Sequence, residues 1–219
     1  MTEHTVAVEA PKPRFRGRLH QIAFFASIPQ GIAVLVAAAS WVSRIAAGIY
    51  ALSMTGLYAV SSSYHRLRWT PQGLARIRRA DHAMIFVLIA GSYTPFGLIV
   101  LHGVWSITLL AVVWAGAVFG IAIKVFRMER SGRIGGALYI ILGWAAIVAL
   151  PKLVTSLSLL NLVLLFAGGL LYTGGAVILL LRKPDPRPAV FGYHEIWHAM
   201  VVAASLCHYV AIMLLLTGL

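Results

Sequence analysis

Seven runs of apolar residues, each near the length that crosses a bilayer, govern what this chain can fold into. About 20 such residues span the hydrocarbon core, and the runs cover 22–40, 45–64, 83–101, 104–123, 134–150, 156–181 and 194–216. Inside lipid every backbone N–H and C=O must be paired within the protein, which leaves helices or a closed barrel. The alternation of a barrel strand is absent from these runs. Connectors are short, so successive helices should lie antiparallel and side by side. The expectation is an all-α integral membrane protein, a seven-transmembrane helix bundle over residues 20–219. Residues 1–19 precede it as a disordered basic tail with Pro11 and Pro13. The first run ends Ala37-Ala38-Ala39-Ser40, like a signal-peptide cleavage site, but it is too long for a signal core and contains Pro29 and Gln30. It is read as a retained span.

Composition agrees. The chain is 60% hydrophobic and only 11% charged, far from the roughly 25% charged residues of soluble domains. One cysteine, Cys207, excludes an intrachain disulfide. The net charge of +12 would suggest nucleic acid in a soluble protein, but its placement argues otherwise. Lys12, Arg14, Arg16 and Arg18 precede the first run, and Arg66, Arg68, Arg76, Arg78 and Arg79 follow the second. Lys124, Arg127, Arg130 and Arg133 follow the fourth, and Arg182, Lys183 and Arg187 the sixth. The intervening connectors hold only Arg44 and Lys152. The positive-inside rule then places the N-terminus in the cytoplasm and the C-terminus outside. A topology signal, with membrane lipids as the partner, accounts for the basic excess; no nucleic-acid partner is needed. The second loop also suits anionic head groups.

Ionisable groups inside a bilayer are costly and usually functional. His65 ends the second run, with Ser61 one turn earlier on the same face. Asp81 opens the third run. His194 and His198 open the seventh at i, i+4, again on one face. The topology brings all of these ends to the cytoplasmic leaflet. Any one histidine there is equally well read as an interfacial anchor, but three with a carboxylate at one depth suggest a metal. Three neutral imidazoles plus water make an open tetrahedral zinc site; imidazole also suits copper, iron and nickel. His20 is read as interfacial, with a supporting place behind the metal ligands as its alternative; His82 and His102 are read as uninvolved, and His4 as part of the tail. His208 lies about 15 Å beyond His198 at 1.5 Å per residue. It should line a polar cavity running outward, opposite the break Ser92-Tyr93-Thr94-Pro95, where proline should kink the third helix. The glycine pairs Gly168-Gly169, Gly174-Gly175 and Gly135-Gly136 offer small faces for close helix packing.

His194-Glu195-Ile196-Trp197-His198 also matches H-E-x-x-H, in which the glutamate is the general base of a metalloprotease. No acidic residue follows Glu195 to complete such a site.

Taken together, Ser61 to His65, Asp81 to Pro95 and Gly192 to His198 on seven spans resemble the hemolysin III family. This is the bacterial branch of the progestin and adipoQ receptor (PAQR) superfamily. The resemblance covers residues 14–219 and implies that His65, His194 and His198 hold zinc near the cytoplasmic face. It implies that Asp81 contacts the zinc-activated water, with Ser61 beside it. The Glu and Asn motif that the receptors carry before their first span is replaced here by R-G-R-L-H, ending at His20.

Two functions fit. One is a zinc-dependent lipid amide hydrolase, ceramidase-like, with an N-acyl lipid substrate, Asp81 and Ser61 as catalytic residues and zinc as cofactor. The other is a non-enzymatic channel-like, cytolytic or stress-responsive protein in which zinc braces helices; an intramembrane protease is the lesser alternative. Either way the expected place is the inner (plasma) membrane.

Overall fold

In the computed structural model, residues 12–128 and 132–218 are described, with side chains omitted for 132–134. Residues 1–11 of the tail, His4 included, lie outside the described residues. The chain folds into helices α1 (Arg18–Ala37), α2 (Trp41–Arg66), α3 (Pro71–Pro95), α4 (Gly103–Arg127), α5 (Gly132–Gly143), α6 (Ala146–Ser156), α7 (Leu159–Leu181) and α8 (Tyr193–Thr217). Among the described residues, seven stretches are long and apolar enough to cross a membrane, α5 and α6 together making the fifth.

Local chemistry sets the ends. Ser40 caps α2: its hydroxyl accepts from the Ser43 N–H at 3.1 Å, and its own N–H donates to the Ser43 hydroxyl at 2.9 Å. Thr70 caps α3 with Pro71 at the first helical position, which is where proline's fixed φ and missing N–H do no harm. That cap starts α3 well before the apolar run. Arg76, Arg78 and Arg79, expected in a loop, therefore sit on its first turns, and Asp81 lies inside the helix rather than at its opening. Pro95 ends the α-helical part of α3, and a π-helical turn, Phe96–Val100, follows at the expected break. The fifth span is interrupted at Trp144-Ala145, and Tyr93 on α3 mends the gap. Its hydroxyl donates to the Gly143 carbonyl at 2.7 Å and accepts from the Ala146 N–H at 3.0 Å.

Neighbours in sequence are neighbours in space: α1 packs on α2, α2 on α3, α3 on α4 and α7 on α8, while α1 closes the bundle against α8. Val34, Tyr50, Met54, Phe86, Val113 and Ile212 are fully buried. Ile22, Val36, Leu52, Val104, Phe126, Leu159 and Leu180 stand exposed on the outside, the distribution expected of a bundle whose solvent is lipid. On α7, Gly168 and Gly175 face α8; a Cβ at either would meet His208 or Trp197. Close backbone approach through small residues is how helices pack where no hydrophobic force separates protein from lipid.

Candidate metal centre

The alternating helices bring the C-terminal end of α2 and the N-terminal ends of α1 and α8 to one end of the bundle. His65, His194 and His198 meet there, each offering a ligand atom, all within 4.8 Å of one another. The His65 and His194 Nε2 atoms are 3.2 Å apart. The His65 ring centroid lies 4.9 Å from that of His194 and 5.0 Å from that of His198. His198 is buried, the other two half-buried. Three imidazoles from two helices, turned inward on one point in a low-dielectric interior, are a donor set that fits a divalent ion such as zinc.

Asp81 stands outside that mutually close set. Its carboxyl faces the Ser61 hydroxyl. Asp81 and Ser61 are thus neighbours, with Ser61 one turn before His65 on α2. His82, next to Asp81, turns its Nδ1 to the Arg78 carbonyl at 2.9 Å, and His102 is exposed at the opposite end. Neither belongs to the cluster, as expected.

Two features take their form only in the structure. His20, read as interfacial, is 3% exposed. Its ring stacks on His198 with centroids 3.8 Å apart and planes 7° from parallel, and it meets Tyr58 edge-on. It backs a ligand rather than joining the ligand set. The second is the Arg16–Glu195 pair. Arg16 Nε donates to Glu195 Oε1 at 2.5 Å, and the Gly192 N–H donates to Oε2 at 2.9 Å. The Glu195 side chain is 1% exposed, that of Arg16 23%. With both oxygens engaged, Glu195 is a helix cap and ion-pair partner, which leaves it no free edge for the base role of H-E-x-x-H. Its position three residues after the capping Gly192 was the available sequence signal; its partner, 179 residues away, had none.

Around that pair the tail is held down from Arg14 onward. The Arg14 and Phe15 N–H groups donate to the Ala189 and Val190 carbonyls at 3.0 and 3.1 Å, and Phe15 meets Phe191 edge-on. Gly17 then turns the chain into α1 with φ of 75°, a conformation that favours glycine. A Cβ there would also collide with the His65 side chain.

Deeper in the bundle lies a cavity of ≈ 90 Å³ among α2, α3, α5, α7 and α8. Leu57, Ile85 and Trp197 line it; they sit one turn deeper than Ser61 and Asp81 and next to His198. His208 lines it too, but the cavity is walled mainly by apolar side chains and is not the polar one expected.

Comparison with known proteins shows the family. A family model described as Haemolysin-III related matches residues 8–209. The chain belongs to the haemolysin III family. It is 36% identical over 191 residues to the "Hemolysin-3 homolog" of Bacillus subtilis (strain 168), covering 85% of each chain. It is also 36% identical to the "Hemolysin-3" of Bacillus cereus, covering 85% of this chain and 83% of that one. The human "Monocyte to macrophage differentiation factor" is 27% identical over 180 residues, covering 77% of this chain and 69% of that protein. That likeness supports the wider PAQR relationship of this haemolysin III protein.

Proposed function

We propose that this haemolysin III protein is a zinc-dependent hydrolase of lipid amides, working at the cytoplasmic leaflet of the inner (plasma) membrane. The observation that carries the reading is a three-imidazole cluster at one end of a bundle that holds, about one helical turn deeper, a cavity walled mainly by apolar side chains. A head group can sit at the histidines while its acyl chain lies below. Zinc held by His65, His194 and His198 supplies a Lewis acid for a carbonyl oxygen and makes water a competent nucleophile near neutral pH. Asp81 takes the proton that water loses as it adds to the amide carbon, and Ser61 orients that carboxyl. The same proton passes to the departing nitrogen as the C–N bond breaks, so one water and one amide give one carboxylic acid and one amine.

The deciding experiment is turnover of long-chain N-acyl lipids by purified protein, with bound zinc quantified on each variant. Asp81→Asn is expected to lower turnover by at least about 10²-fold, the lower range for removing a general acid–base group, while zinc stays bound. Glu195→Gln should cost much less; the reverse pattern would favour a protease. A second reading, zinc as a brace, draws on the ligands coming from two different helices, α2 and α8. Absence of turnover across a broad lipid panel, with stability lost on chelation, would select it.

A further inference from the structure

Beside the histidines the acidic groups are already engaged, and one of the cations is only partly used. Glu195 has both carboxylate oxygens taken, by Arg16 and the Gly192 N–H, and Asp81 faces Ser61. Arg66 runs its aliphatic stem beside Gly17, which itself abuts His65, and Arg78 acts on the neighbouring Tyr64. Arg16 is tied to the ligands themselves. It bonds the residue that follows His194, and its charge acts on His65, His194 and His198 alike. Its backbone is fixed on both sides: the Arg16 N–H donates to the Pro13 carbonyl at 3.0 Å, the Phe15 N–H to that of Val190, and Gly17 turns the chain into α1. Its guanidinium is fixed by Nε, the one nitrogen of the five-donor fork with a hydrogen-bond partner among the described residues. The N–H groups of both Nη atoms are left over. Nε meets a carboxylate that is 1% exposed, yet the Arg16 side chain is 23% exposed, so the guanidinium keeps accessible surface for a ligand.

A cation held ready in this way selects by charge. Water or a neutral head-group hydroxyl satisfies one Nη donor at a time. A carboxylate or phosphate offers paired oxygens that match the planar fork, and a side chain already fixed in place loses little freedom on binding them. An amide with its carbonyl at the histidines and its acyl chain in the apolar part of the bundle turns its amine portion toward the segment that carries Arg16. We propose that Arg16 recognises an anionic group, a carboxylate or a phosphate, on that amine portion, so that the substrate class is N-acyl lipids with an anionic head, such as N-acyl amino acids. The proposal rests on the hydrolase reading of the same site, but its test separates the two.

Purified protein in a nonionic detergent is presented with N-oleoyl glycine, N-oleoyl glycinamide and N-oleoyl ethanolamine phosphate, and both direct binding and turnover are measured. The first two differ only in a carboxylate replaced by a neutral amide. The wild type is expected to bind an anionic amide about 10-fold more tightly than the glycinamide, the lower range for a hydrogen bond to a charged group. Tighter binding of the glycine compound names a carboxylate as the anion, and tighter binding of the phosphate compound names a phosphate; either supports the site. Arg16→Gln and Arg16→Lys should each bring the ratio toward one. The lysine keeps a cation for Glu195 but has no second edge to offer, so it keeps the test open if Arg16→Gln fails to fold. Arg68→Gln, which removes an exposed charge from the same end of the bundle, should leave the ratio unchanged. A preference that both Arg16 variants erase, with no amide hydrolysed, would support the anion site and count against the hydrolase. Equal binding of all three amides by the wild type would overturn the proposal. So would a preference that survives both Arg16 variants, which would assign the anion to another partner such as the metal, or one that Arg68→Gln reduces equally, which would assign it to surface charge.

Discussion

His65, His194 and His198 make a prediction with an internal control. Purified protein should hold about one zinc, and alanine at any of the three should largely abolish it, because two ligands seldom retain the ion. His102→Ala, at the opposite end of the bundle, should leave the stoichiometry unchanged. Full zinc content in the triple variant would refute the assignment. The ion pair beside the ligands predicts an asymmetry. Arg16→Ala strands a carboxylate that is 1% exposed, whereas Glu195→Gln keeps a carbonyl oxygen that can still accept from Arg16, whose guanidinium is 23% exposed and can also reach water. Breaking a buried pair by removing one partner costs about 3–5 kcal/mol. Arg16→Ala should approach that figure and Glu195→Gln fall clearly below it, as read from thermal unfolding in detergent. Equal losses would mean that the pair contributes through packing alone.

At the scale of elements, the α7–α8 contact is where a small change should cost most. Gly168→Ala sets a methyl group against the His208 ring. Overpacking of this kind costs about 1–3 kcal/mol, whereas Gly136→Ala meets nothing within 4 Å and should be near neutral; comparing the two melting curves checks it. The spans were legible in the sequence because a bilayer demands one long apolar run per crossing, and the glycine pairs on α7 were legible as packing faces. The start of α3 was not, because its first turns carry arginines that read as loop, while Thr70 and Pro71 make them helix. Nor was the break between α5 and α6, since the Tyr93 hydroxyl that satisfies its backbone comes from another helix. The candidate site divides in the same way. His194 and His198 announce themselves by i, i+4 spacing, and His65 and Asp81 by depth. The stacking of His20 on His198 and the pairing of Arg16 with Glu195 are tertiary facts, invisible until α1 closes against α8.

For the molecule as a whole, the open question is which end faces the cytoplasm, and the fold gives the charge rule a sharper form. The histidine end of the bundle carries Arg16, Arg66, Arg76, Arg78 and Arg79, while Arg44 near the start of α2 and Lys152 on α6 lie toward the other end. A bundle this polarised inserts with its basic end retained inside, which would put the metal centre at the cytoplasmic leaflet and His102 outside. Arg76 and His102 are both exposed, so each can be replaced by cysteine without opening the core. In a Cys207→Ala background, intact cells treated with a membrane-impermeant maleimide should label His102→Cys at once. Arg76→Cys should react only after permeabilisation. The expected orientation fails if the pattern is reversed, and the substrate would then have to be sought in the outer leaflet, where the same histidines would meet a different population of head groups.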